Sequence, residues 1–117
     1  MECLKGKKQI ERLFTSGHSV GAFPLRLIYL PSDSEHKIGV SVSKKQFKNA
    51  VDRNRIKRLL RVAIKTHFYK VLERMDLKYT LMVLYVGKDM PDTIGLKSQF
   101  ESLIKRFNKK QSNEVSS

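Results

Sequence analysis

Between Ala50 and Phe68 the chain carries one apolar stripe and, on most of the remaining arc, cations. Ile56, Leu59, Leu60, Ala63 and Ile64 recur at helical spacing. Arg53, Arg55, Lys57, Arg58, Arg61 and Lys65, with Asn54 among them, fill most of the rest. Such a helix buries one side only, so it has to lie as an outer layer on a sheet or on other helices. Asn49 stands where an N-cap is expected, and Asp52 three residues later makes a capping-box-like pair.

The flanking segments supply the layer it needs. Lys7 to Ser16 reads as a short helix with Ile10, Leu13 and Phe14 on one face, followed by Gly17 in the usual place of a C-cap glycine. Phe23 to Leu30 alternates as a strand, with Phe23, Leu25, Leu27 and Tyr29 on one face and Pro24, Arg26, Ile28 and Leu30 on the other. Pro24 fits only near its start or on an edge. Pro31 to His36 reads as a turn. Lys37 to Ser43 is a second strand with Ile38, Val40 and Val42 on one face. Gly39, Ser41 and Ser43 make a small-residue face suited to lie under a ligand or a close-packed helix. Tyr79 to Val86 is apolar on both faces and belongs in the middle of the sheet. Gly87 to Asp92 is a loop, and a last helix from about Ile94 carries the stripe Leu96, Phe100, Leu103, Ile104 and Phe107. From Lys109 the chain is polar and expected to fray. The order is α-β-β-α-β-α, with residues 1–110 as one domain and 111–117 as a polar, disordered tail.

Charge then points to a partner. The 117 residues carry a formal net charge of +13. Lys44, Lys45 and Lys48 precede the basic helix, and from Lys44 to Lys65 Asp52 is the single acid, so +8 of that charge lies in under a fifth of the chain. Arg53, Lys57, Arg61 and Lys65 follow one another at i, i+4, spaced about 6 Å along the helix axis. A solvated basic face normally intersperses acids in i, i+4 pairs. Here they are missing, and a polyanion is the expected counterpart. Arg offers planar multi-donor contact to phosphate, Lys a point charge, and the helix N-terminus adds free backbone N–H groups. Asn54 is placed to hydrogen-bond a phosphate or ribose. Nucleic acid fits better than a membrane, because no lipidation motif and no bilayer-length apolar run accompanies the charge.

Other chemistry finds little support. Cys3 is the single cysteine, which excludes an internal disulfide and a cysteine zinc cluster; it reads as a bystander near the terminus. His18, His36 and His67 lack ligand-like spacing. There is no paired-carboxylate, nucleophile-elbow or phosphate-loop pattern, so neither catalytic residues nor a protein-held metal are expected. Without an export signal the chain reads as cytoplasmic. Phe14, Phe23, Tyr29, Tyr79 and Tyr85 are able to stack bases of a single strand, although core is the default reading for Phe14 and Phe23.

The stretch VSVSKKQFKNAVDRNRIKRLLR, Val40 to Arg61, resembles the RNR motif region of the bacterial ribonuclease P protein subunit: a strand ending S-V-S-K-K, then A-V, R-N-R, K-R and a further Arg. The helix with Phe14 and the following G-H-S-V, Gly17 to Val20, fits the same layout, so the likeness covers almost the whole chain. The resemblance implies an α+β domain with a mixed sheet and a left-handed β-α-β crossover, as in a domain of a small-subunit ribosomal protein. It implies as partners the catalytic RNA of ribonuclease P and precursor tRNA, with no membrane and no obligate protein partner. The holoenzyme removes the 5′ leader of precursor tRNA; Mg2+ held mainly by the RNA activates water, and the protein assists. By position, Lys44, Lys45, Lys48, Arg53, Asn54, Arg55, Lys57, Arg58, Arg61 and Lys65 are its RNA-binding residues, and Phe14, Leu27 and Tyr29 match a leader-binding cleft. Ile10 stands where the family often has an aromatic, KKQFKN is one residue longer than the usual loop and lacks its glycine, and Val62 or Ala63 replaces a frequent Glu. The rival readings are another structured-RNA-binding module, ribosomal or double-stranded-RNA-binding, and a protein-only nuclease, for which no acidic cluster is present.

Overall fold

The computed structural model describes residues 2–3, 7–32, 36–75 and 78–116, with side chains for 8–110 within those stretches. In chain order the elements are β1 (Glu2–Cys3), α1 (Lys7–Ser16), β2 (His18–Ala22), β3 (Leu25–Ser32), β4 (Lys37–Val42), α2 (Ala50–Ala63), a π-helical turn (Ile64–Phe68), α3 (Tyr69–Glu73), β5 (Lys78–Tyr85) and α4 (Thr93–Ser116). The strands form one mixed sheet in the order β1-β4-β5-β3-β2. β5 is its centre, parallel to β4 and antiparallel to β3, as its two apolar faces require.

Two strands are additions to the expected order. β1 is only two residues long and pairs with Lys37 and Ile38. β2, HSVGA, lacks apolar alternation because it is an edge strand with one neighbour, β3. A two-residue turn joins them: Ala22 pairs with Leu25, leaving Phe23 and Pro24, linked by a cis peptide, at the hairpin tip. The strand expected from Phe23 therefore starts at Leu25 and runs on to Ser32. Pro31 is tolerated there because β2 pairs only as far as Tyr29, so Pro31 has β5 as its single neighbour. The expected turn at 31–36 shrinks accordingly, and its residues 33–35 lie outside those described. Cys3 pairs with Ile38 through its backbone, and its side chain is outside the described set.

The sheet has unequal faces. Leu25, Leu27 and Tyr29 of β3, Ile38 and Val42 of β4, and Tyr79, Leu81, Val83 and Tyr85 of β5 point into the main core beneath α2 and α4. There they meet Ile56, Leu60, Phe68, Leu96, Phe100, Leu103 and Phe107. Tyr29, Tyr79 and Phe107 form an edge-to-face trio with centroids 5.0–5.8 Å apart. On the opposite face α1 packs Leu13 onto Ile28 and Met82, with Ile10, Leu30 and Leu84 half-buried around them. Gly17 ends α1 through a bond from its N–H to the Leu13 carbonyl, 2.9 Å. Its role is close approach: a Cβ there would lie 2.3 Å from that oxygen and 2.9 Å from Ile28 Cγ2.

The basic helix also differs from a simple α-helix to Phe68. The π turn lets Ile64, Phe68 and Leu72 all face the core before α3 ends. α4 continues to Ser116, past Lys109 where fraying was expected. Two of its cations explain the docking at that end. Arg106 Nη1 donates to the Gly21 carbonyl. Lys110 Nζ donates to the Ser19 carbonyl at 2.7 Å and lies 5.7 Å from the centre of the Tyr29 ring. The β2 edge carbonyls are thus covered by side chains of a helix. His36 is buried: its Nδ1 accepts from the Tyr79 N–H at 3.2 Å, so Nε2 carries the proton and donates to the Leu72 carbonyl at 2.8 Å.

Candidate nucleic-acid interface

The Asn49 side chain accepts from the Val51 N–H at 2.9 Å and fixes the start of α2. Burial of Ile56, Leu60 and Ala63 then sets which way the cations point. Arg53 and Lys57 are half-buried on one flank; Asn54, Arg55, Arg58 and Arg61 are exposed. Wheel geometry puts Arg53, Lys57 and Arg61 on the flank toward the α1 side of the sheet, and Arg55 and Arg58 on the outward arc, where Val51 and Val62 are also exposed. Lys65 belongs to the π turn, so the expected i, i+4 ridge keeps its spacing only to Arg61.

Arg53 has a specific job. Its Nη1 donates to the carbonyls of Phe47 and Lys48, both at 2.8 Å. Phe47 is buried against Tyr85, with ring centres 6.0 Å apart, and its N–H bonds the Ser43 carbonyl. The longer, glycine-free loop is thereby organised around an aromatic anchor and an arginine clasp, with Lys44, Lys45 and Lys48 exposed on it.

A groove of about 300 Å³ lies between α1 and the π turn, lined by Ile10, Gly39, Val40, Met82, Arg61 and Lys65, among others. From β4 it takes Ile38, Gly39 and Val40, so Gly39 is where the small-residue face reaches it. On the sheet face of Gly39 the next cross-strand row is Ser41 paired with Leu84, Leu84 with Arg26 and Arg26 with Gly21. This row lies beyond the α1-covered row of Ile28 and Met82; Arg26 and Gly21 are exposed, Ser41 and Leu84 half-buried.

The aromatics sort contrary to expectation. Phe14 is 50 % and Phe23 79 % exposed, so neither is core. Phe14 follows Leu13 round the helix and flanks the buried stripe; Phe23 sits on the hairpin tip. Tyr29, Tyr79 and Tyr85 are buried instead. Leu27 and Tyr29, expected in the cleft, are fully enclosed on the α2/α4 face, the opposite side of the sheet from α1. Strand parity gives the α1 side to Arg26, Ile28 and Leu30, so the cleft assignment of Leu27 and Tyr29 is corrected. By the same parity Arg26 is an exposed cation on the Ile28 face of β3.

The family model for Ribonuclease P matches residues 1–108. The chain belongs to the ribonuclease P protein family. Among similar ribonuclease P protein components, that of Porphyromonas gingivalis W83 is 34 % identical over 94 residues, 74 % of this chain and 68 % of that protein. That of Lactobacillus helveticus is 28 % identical over 113 residues, 78 % and 93 % of the two chains. The ribonuclease P protein of Staphylococcus aureus superposes with TM-score 0.73 at 26 % identity over 90 % of this chain and 94 % of that one. The Thermotoga maritima protein shares the fold, with TM-score 0.73 at 19 % identity over 91 % and 97 %. As a ribonuclease P protein, the chain is a component of the ribonucleoprotein that processes tRNA 5′ ends. The rival of a ribosomal or double-stranded-RNA module finds no support in these matches.

Proposed function

We propose that this ribonuclease P protein binds the catalytic RNA with the outward arc of α2 and guides the 5′ leader of precursor tRNA through the groove beside it. The observation that carries this reading is the pairing of two surfaces along one helix. Arg61 and Lys65 line the groove together with Gly39 and the apolar side chains of Ile10, Ile38, Val40 and Met82, while Arg55 and Arg58 point away from it. Asn54 adds a neutral donor and acceptor between them. Lys44, Lys45 and Lys48, on the loop clasped by Arg53, extend the cationic path round the start of α2. Phe14 stands half-exposed on α1, next to the groove-facing stripe, and offers a stacking face that Ile10 does not.

In this reading the chain supplies no reacting group. The described residues bring no three His, Cys, Asp or Glu side chains together as metal ligands, and the donors along α2 are cations. They fit phosphate, so magnesium would be held mainly by the RNA. The protein's contribution is charge: it reduces repulsion between two RNA strands and thereby helps them and their ions to assemble. No helix among the described residues is long and apolar enough to cross a membrane.

Reconstitution tests the proposal. The protein is added to ribonuclease P RNA and precursor tRNA at limiting magnesium, beside RNA-only and protein-only controls. Cleavage well above RNA alone is expected. No stimulation, or cleavage by protein alone, overturns the reading.

A further inference from the structure

We propose that Arg26 is a positioning residue for the leader, gripping a phosphate of the single strand on the open end of the sheet. The inference rests on the reading that the groove beside α2 takes the leader. Arg26 is the cation of the row Ser41–Leu84–Arg26–Gly21, and it is exposed. Its neighbours in that row are small or apolar, and none of them is an acid that would neutralise it. Its guanidinium Nη2 lies 3.5 Å from Ser19 Oγ, at the outer limit of hydrogen bonding, so the side chain stays over the sheet, and among the described residues its other donors have no partner. From β4 to β3 is two strand spacings, about 10 Å. A strand leaving the Arg61–Lys65 groove at Gly39 and passing over Ser41 and Leu84 therefore meets Arg26 within a few nucleotides.

The row also indicates how this chain holds the strand. Ile10 offers no aromatic face at the groove, and the sheet surface along the crossing presents Gly39, Ser41 and Leu84, none of which stacks a base. Arg26 replaces stacking with a charged, multi-donor contact to the backbone. Binding of this part of the leader is then tolerant of base identity and sensitive to salt.

The test uses holoenzyme reconstituted with wild-type protein, Arg26→Ala or Arg26→Lys. Each binds precursor tRNA with a leader and the same tRNA without one, over a range of monovalent salt. Arg26→Ala is expected to weaken binding of the leader-bearing tRNA about fivefold and to lower its log–log salt slope by about 0.7. The leaderless tRNA is expected to bind unchanged, and Arg26→Lys to restore the slope. An unchanged thermal midpoint excludes a merely structural effect. If wild-type holoenzyme favours the leader-bearing tRNA and Arg26→Ala keeps that preference, the role of Arg26 is overturned while the leader reading stands. If the loss falls equally on both tRNAs, Arg26 acts elsewhere and the proposal also fails. If wild-type holoenzyme does not distinguish the two tRNAs, the leader reading itself falls.

Discussion

Arg53 and Arg58 are five residues apart on one helix and look interchangeable as phosphate contacts, yet their surroundings separate them. Arg53 commits Nη1 to two loop carbonyls at 2.8 Å, whereas Arg58 is exposed on the outward arc. Arg58→Ala should leave thermal stability within about 0.5 kcal/mol and lower the salt slope of RNA affinity by about one counterion. Arg53→Ala should lower RNA affinity too, but with a stability loss of about 1 kcal/mol or more, because it leaves the part-buried Phe47 carbonyl, beside the exposed one of Lys48, without its charged donor. Denaturant midpoints and salt titrations of the two variants check this; equal stabilities would remove the clasp. His36 illustrates a different residue-scale device. Burial lowers its pKa from the ordinary 6.5, and the nearby Lys78 charge adds to that. The folded state therefore takes up its proton at lower pH than the unfolded chain. Stability contributed by the neutral ring is fully present above about pH 6.5, is lost as pH falls from there toward the lower folded value, and then levels off. His36→Gln should flatten this slope relative to wild type in melts between about pH 5 and 8; an unchanged slope would assign it to other groups.

At the scale of elements, the basic helix was legible because its apolar stripe, N-cap and charge all agreed. The last helix was legible for the same reason, although its cap was not: Asp92 Oδ1 accepts from the Gly95 N–H at 2.5 Å, a D-T-I-G start that pointed to Asp92 had it been weighed. β2 was illegible because an edge strand with one neighbour needs no alternation, and its register is set by the turn at Phe23–Pro24 rather than by its own residues. The π turn was illegible too, since Ile64, Phe68 and Leu72 read as an ordinary i, i+4 stripe. Strand parity, by contrast, was legible: Leu27 and Tyr29 share the face of Leu25, and Arg26 shares that of Ile28. The α2 cap offers a prediction that separates stability from binding. Asn49→Asp keeps the acceptor for Val51 and adds charge favourable to the helix N-terminus, worth a few tenths of a kcal/mol or more. The same charge stands beside the proposed phosphate path. The variant should be as stable as wild type or more so, and should bind RNA more weakly, in a melt and a filter-binding titration on one preparation. Equal RNA affinity would move the phosphates away from the start of α2.

Across the whole molecule the cations divide into those used by the fold and those left over. Arg106 and Lys110 are spent on β2 carbonyls, and Arg53 on its loop. Among the described residues, Arg55, Lys57, Arg58, Arg61 and Lys65 have no hydrogen-bond or ion-pair partner. A net charge of +13 on 117 residues then works against the compact state by self-repulsion. Salt screens that repulsion, since the Debye length falls from about 10 Å at 0.1 M to about 3 Å at 1 M. The free protein should therefore become more stable as salt rises. RNA binding should respond in the opposite sense, because counterion release is the driving force that salt removes. Thermal midpoints of the free protein and RNA affinities, measured over the same range from about 0.05 to 0.5 M, should move in opposite directions. The melt arm has a specific control: Arg55→Gln combined with Arg58→Gln should raise the low-salt midpoint and weaken its salt dependence, by removing two unpaired charges without touching the core. A midpoint indifferent to salt in wild type would mean that these cations do not burden the fold, and that their density alone is no sign of a missing polyanion.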